Sequence, residues 1–173
     1  GLIKALSYKK EAQIRYRAVM ALGELSDPRT VHSLTAALKD DDIKVREKAA
    51  RVLGKIGVAQ AVQPLIEALS DPQTAVRLAA VEALGKIPDA RAMEPLCYSL
   101  KDTDALVRKA AVLSLGVFSD VRTEQPLSDA LMDRNWEVRR SAVDTIAKMD
   151  SDWAMNLLIN ALKNEYDDVR SGV

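Results

Sequence analysis

The stretch Val76-Arg77-Leu78-Ala79-Ala80-Val81-Glu82-Ala83-Leu84-Gly85-Lys86-Ile87 decides the fold, because it returns every 31 residues. Downstream it reads Val107-Arg108-Lys109-Ala110-Ala111-Val112-Leu113-Ser114-Leu115-Gly116, then Val138-Arg139-Arg140-Ser141-Ala142-Val143-Asp144-Thr145-Ile146-Ala147. Upstream it reads Val45-Arg46-Glu47-Lys48-Ala49-Ala50-Arg51-Val52-Leu53-Gly54 and Ile14-Arg15-Tyr16-Arg17-Ala18-Val19-Met20-Ala21-Leu22-Gly23. A last copy opens with Val169-Arg170. The arginines 15, 46, 77, 108, 139 and 170 thus stand in one column without a slip. A fixed period of roughly 20 to 50 residues marks a solenoid, whose units bury their apolar faces only against one another.

Each period holds two apolar segments. Counted from its Val as zero, the quoted segment (helix B) is apolar or small at positions 0, 4, 5, 7, 8 and 11, as in Val45, Ala49, Ala50, Val52, Leu53 and Ile56. That spacing is the broad stripe of an amphipathic helix buried on one side. Asp42, Asp104 and Asn135 stand just before it as N-caps. The other segment (helix A) is clearest as Pro64-Leu65-Ile66-Glu67-Ala68-Leu69, with Pro95 and Pro126 at the same place in later copies. Proline there suits the start of a helix. Asp27, Asp89 and Asp120 lie upstream, placed to cap a preliminary turn. Connections as short as Ser70-Asp71-Pro72-Gln73 make A and B an antiparallel hairpin. The first copy carries one extra residue, placed in the turn Tyr8-Lys9-Lys10-Glu11.

Composition narrows the class further. Hydrophobic residues make up 48% of the chain and suffice for a continuous core, while aromatics are only 4%, so Ala and Leu carry the packing. Acids and bases balance at 25 each, which points to neither a nucleic-acid tail nor a membrane surface. Cys97 is alone, so there is no disulfide framework, and a reducing, cytoplasmic location follows. No apolar run is long enough to span a bilayer. The expected fold is all-α, an α-solenoid built as a right-handed superhelix of antiparallel helix pairs. It is read as a single domain over 1–173 with partial repeats at both ends, a fragment of a longer array.

The pattern Val-Arg-x-x-Ala-Ala-x-x-Leu-Gly followed by Pro-Leu-x-x-Ala-Leu resembles HEAT-like repeats of the phycobilisome-lyase type, over about five units. The resemblance implies that Arg15, Arg46, Arg77, Arg108 and Arg139 tie adjacent turns together with Asp40, Asp71, Asp102 and Asp133 as a structural ladder, Asn164 taking the next place. An Arg fork suits both carboxylates and turn carbonyls. The same family includes scaffolds, bilin-lyase subunits, regulatory arrays and artificial binders.

Catalytic and metal chemistry find little support. Gly23, Gly54, Gly85 and Gly116 recur inside helix B without a preceding strand, which argues for close helix approach rather than a phosphate loop. His32 and Cys97 are the only residues of their kinds and sit in helix A of non-adjacent copies, so neither a zinc site nor a Cys-His pair is expected. No repeated His-Glu pairs of the kind HEAT-type deoxyhypusine hydroxylases use for iron are present. No enzyme activity, cofactor or metal is expected.

What remains is the outer face of helix B, which the resemblance places on a concave surface. Its columns vary where the buried ones do not: position 2 reads Tyr16, Glu47, Leu78, Lys109, Arg140, and position 6 reads Met20, Arg51, Glu82, Leu113, Asp144. Tyr16, Met20, Leu78, Leu106, Leu113, Val117 and Trp136 are apolar at places expected to be exposed, as in a protein-binding groove with aromatic anchors, the alternative being partial burial between tightly curved repeats. Arg17, Lys44, Lys48, Arg51, Lys55 and Lys86 concentrate positive charge on the first three copies, where an acidic partner segment would fit. The expected function is a non-catalytic scaffold that binds a protein or peptide there. A bilin-lyase-like or phycobilisome-related subunit is an alternative by resemblance alone, with tetrapyrrole binding as its mark. Nucleic-acid binding, as in HEAT-like alkylpurine DNA glycosylases, is opposed by the zero net charge and by Glu82, Glu137 and Asp144 on the same face. Neither end carries a polar capping repeat, so end-to-end self-association through the terminal repeats is a further expectation.

Overall fold

The computed structural model describes the chain except residues 7–10, 26, 119, 164–165 and 173. The extra residue of the first copy and Asn164 therefore lie outside the described residues. Among those described, the secondary structure is helical, and no helix is long and apolar enough to cross a membrane. Two compact units divide at the start of the third helix A, one covering Gly1–Ala92 and the other Met93–Val173.

In the first unit a short α1 (Leu2–Ala5) precedes α2 (Ala12–Leu25), α3 (Val31–Ala37), α4 (Ile43–Ile56), α5 (Val62–Ala68) and α6 (Thr74–Leu84). The second unit holds α7 (Met93–Ser99), α8 (Ala105–Leu115), α9 (Glu124–Ala130), α10 (Trp136–Ile146), α11 (Asp152–Ala161) and α12 (Asp167–Arg170). Helix A is α3, α5, α7, α9 and α11, while helix B is α2, α4, α6, α8 and α10. Consecutive A and B helices pack as hairpins, and B packs on B within each unit.

The caps follow from side-chain chemistry. Asp42 accepts the N–H groups of Lys44 and Val45, Asp104 that of Leu106, and Asn135 those of Glu137 and Val138. These acceptors satisfy donors that a helix start leaves orphaned. Asp27, Asp89 and Asp120 accept the N–H of Arg29, Arg91 and Arg122 and open a 3-10 turn before helix A. Pro64, Pro95 and Pro126 each fall third in their helix, where no N–H is needed. Gly57 closes α4 in the left-handed region, φ 73°, and its N–H donates to the Leu53 carbonyl at 3.0 Å.

The core repeats with the sequence. Leu34, Leu65, Leu96 and Leu127 bury one column, and Leu22, Leu53, Leu84, Leu115 and Ile146 another. Small residues set how near the B helices come. A methyl placed on Gly54 would lie 2.6 Å from the Ala83 Cα, and one on Gly116 2.7 Å from the Thr145 methyl. One expectation needs correcting here: Gly85 and Gly116 are not inside helix B but cap the C-termini of α6 and α8, in right-handed conformation.

Candidate functional site

The ladder is built from forked hydrogen bonds. Arg15 donates to Asp40 at 2.7 and 2.8 Å, Arg46 to Asp71 at 2.7 and 3.2 Å, and Arg108 to Asp133 at 2.7 and 2.9 Å. The remaining guanidinium nitrogen turns back to its own repeat. Arg46 donates to the carbonyl of Asp40 at 2.8 Å, Arg77 to that of Asp71 at 3.0 Å, Arg108 to that of Asp102 at 2.9 Å and Arg139 to that of Asp133 at 2.7 Å. Each carboxylate also accepts a backbone N–H two residues on: Asp40 from Asp42, Asp71 from Gln73, Asp102 from Asp104 and Asp133 from Asn135. The fork thus fixes the A-to-B turn on both sides.

Arg139 departs from the sequence column. Its fork grips Asp168, at 2.9 Å through both nitrogens, and its guanidinium lies 4.0 Å from the Tyr166 ring centroid. Asp168 was hidden because it stands four places past the periodic position, which Asn164 occupies without a charge.

Electrostatics match the geometry. Burial pushes the Asp40 and Asp133 carboxyls up, but their arginine hydrogen bonds, backbone donors and nearby charges outweigh it and hold both below the ordinary value. The Arg139 fork lowers Asp168 likewise. A second, exposed row pairs Asp27 with Arg29, Asp89 with Arg91 and Asp120 with Arg122, and these arginines hold Asp89 and Asp120 at about 2.

The helix B face differs between the units. In the first, Arg51 bridges Glu47 at 3.1 Å and Glu82 at 2.6 Å, so the two acids share one cation and keep one negative charge between them. Lys55 donates to the Gly23 carbonyl at 3.0 Å. Arg17 and Lys44 are exposed and Lys48 half-buried, all three free of ion pairs among the described residues. Tyr16 and Lys44 flank a hollow of about 390 Å³ between the starts of α2 and α4. In the second unit Lys109 pairs with Glu137 at 2.8 Å and Arg140 with Asp144 at 3.3 Å. Beside these pairs Leu106, Leu113, Val117 and Trp136 are 56%, 52%, 52% and 59% exposed. Met20 is exposed as well.

Tyr16 and Leu78 correct the sequence expectation, since both are half-buried. They belong to position 2, where Glu47 and Lys109 are also half-buried and only Arg140 is exposed. Side chains on a helix lean toward its N-terminus, and this column leans against the neighbouring B helix, as the Lys109–Glu137 pair shows. In position 6, Met20, Arg51 and Leu113 are exposed while Glu82 and Asp144, each held in an ion pair, are half-buried.

The helix A side carries a feature that periodicity does not announce. A cleft of about 380 Å³ opens between α7 and α9, with Met93, Cys97, Leu100, Pro126 and Ala130 in its wall and Tyr98 at its edge. Among the described residues no three His, Cys, Asp or Glu side chains gather as a metal site.

Repeated helix hairpins, shared leucine columns and the turn-fixing arginines define an α-solenoid repeat protein. The chain belongs to the HEAT-repeat family, whose description, HEAT repeats, matches residues 1–73, 33–116, 62–131 and 93–173. No curated protein sequence matches it. Among solved structures it is similar to a chain of the CpcE–CpcF complex of phycocyanin lyase from Nostoc sp. PCC7120, with 25% identity and a TM-score of 0.76 over 98% of this chain and 71% of that one. It is also similar to an engineered protein, with 22% identity and a TM-score of 0.69 over 99% and 91% of the two chains. A designed armadillo repeat protein in complex with the peptide (KR)4 aligns at 20% identity and a TM-score of 0.69, over 99% and 94%. The last two likenesses speak to fold alone.

Proposed function

We propose that the protein is a non-catalytic interaction scaffold that binds a partner protein or peptide on the exposed face of its B helices. The observation that carries this reading is the exposed set of Leu106 and Leu113 on α8, Val117 just past its end and Trp136 on α10, with the adjacent charges neutralised by one another. Large apolar side chains held in water beside satisfied ion pairs gain by being covered. In the first unit Arg17, Lys44 and Lys48, without ion pairs among the described residues, supply cations beside Tyr16 and Met20, which suits an acidic segment. The remaining residues of the proposed face are Arg51, Lys55, Leu78, Glu82, Lys109, Arg140 and Asp144.

The test is capture from native extract by the parent chain and by a variant with Leu113→Ser and Trp136→Ala, with circular dichroism confirming the fold. Both residues are exposed, so the variant keeps its helices. A partner held by the parent and lost by the folded variant is the expected result; equal capture by both would move the function to the A helices or the turns.

The likeness to a phycocyanin lyase complex supports a second reading, in which the chain acts as one subunit of a bilin-lyase-like assembly. Saturable absorbance changes on titration with phycocyanobilin would support it, and an unchanged spectrum would remove it. Met155, Ile159 and Leu162 leave an apolar stripe exposed on α11 and its end, which favours self-association through that face. Sedimentation velocity across a concentration series tests this, and a constant monomer coefficient would count against it.

A further inference from the structure

The cleft between α7 and α9 is walled by apolar groups: Met93 is buried, and Leu100, Pro126 and Ala130 join it. No buried side-chain nitrogen or oxygen among the described residues lacks a hydrogen-bond partner, so the interior makes no demand on a polar ligand core. Burial, then the charge of Glu94, holds the Cys97 thiol above its usual pKa, which keeps it protonated and part of the apolar wall.

The rim is where charge is unspent. Arg122 is engaged by Asp120, and Asp133 by Arg108. Glu94, Asp129 and Lys101 line the cleft without an ion pair among the described residues, one acid in excess, although the charge of Arg122 also reaches Glu94 and Asp129 accepts from Gln125 at 2.7 Å. Tyr98, which also lines the cleft, is exposed, and an aromatic ring there adds attraction for a cation. A volume of about 380 Å³ sits near the small end of ligand pockets and suits one ring with a short arm.

From this geometry we propose that the α7–α9 cleft binds a small amphiphilic amine, its apolar ring between Met93 and Pro126 and its ammonium head at Glu94. The site lies on the A helices and is independent of the partner face on the B helices.

The chain contains five methionines, of which Met93 alone lines the cleft, so methyl-labelled methionine resonances of the full chain report occupancy directly. Titration with phenethylammonium should shift the Met93 methyl saturably and leave Met20, Met132, Met149 and Met155 in place. Phenylacetate, the same ring with opposite charge, should bind more weakly. Glu94 is exposed, so Glu94→Gln keeps the fold and should weaken the amine roughly two- to fivefold, the scale of a surface ion pair. An unmoved Met93 at millimolar amine, shifts spread over all five methionines, equal binding of phenylacetate, or an unchanged affinity in Glu94→Gln would each overturn the proposal.

Discussion

At the scale of single residues, the ladder shows how burial changes the worth of an ion pair. The Arg108 and Asp133 side chains are 5% and 11% exposed, against 67% and 34% for Arg122 and Asp120, although both pairs close at 2.7 Å. Arg108→Ala strands a nearly buried carboxylate and the Asp102 carbonyl, so it should lower stability by about 3 to 5 kcal/mol in urea unfolding. Arg122→Ala removes an exposed pair and should stay within about 1 kcal/mol. Acid acts on the same residues. Asp40, Asp133 and Asp168 are held below their ordinary pKa in the folded chain, so below about pH 4 the unfolded chain binds more protons than the folded one. Their contribution is complete above that value and drains away as pH falls further. The melting temperature should therefore be nearly flat from pH 7 to 5 and drop between about pH 4 and 2. In Asp133→Asn part of that acid slope should be missing.

At the scale of helices, small residues govern approach. Gly54→Ala would gain about 1 kcal/mol of helix propensity, but its methyl would meet Ala83 backbone and Cβ at 2.6 and 2.7 Å, atoms that have no rotamer to yield. The expected net effect is a loss of about 1 to 2 kcal/mol in denaturant unfolding. Gly116→Ala meets the Thr145 methyl at 2.7 Å and the Leu113 carbonyl only at 3.4 Å, and should lose less. The fifth copy already carries Ala147 at this place, and it is exposed. Helix caps, leucine columns and the A–B hairpins were legible because each depends on a local pattern repeated every 31 residues. Asp168 was not, since a helix start four residues downstream can supply the same carboxylate from a non-periodic place. The half-burial of Tyr16 and Leu78 was legible only as an alternative, partial burial between repeats, because a helical wheel ignores how the side chain leans toward its neighbour. The α7–α9 cleft escaped for a related reason: it arises from which side chains two A helices place side by side, and the period describes each helix alone.

For the whole molecule, the balance of 25 acids against 25 bases conceals an uneven outlay. Across the B helices of the first unit Glu47 and Glu82 share one arginine and keep one negative charge, against three positive charges on Arg17, Lys44 and Lys48, which form no ion pair among the described residues. In the second unit Lys109 and Glu137, and Arg140 and Asp144, close on each other, and Leu106, Leu113, Val117 and Trp136 stand exposed beside them. A labelled oligoglutamate peptide should therefore bind the chain in fluorescence anisotropy and weaken steeply as salt rises past about 0.1 M, where the Debye length has shrunk to about 10 Å. Lys44→Glu with Lys48→Glu should reduce that affinity by at least about tenfold, while Leu113→Ser leaves it unchanged. Both changes lie away from the buried columns, so stability should move by no more than about 0.5 kcal/mol per site. Binding that ignores salt, or that falls equally with Leu113→Ser, would show that the cations of the first unit are a solvated surface and that apolar contact alone selects the partner.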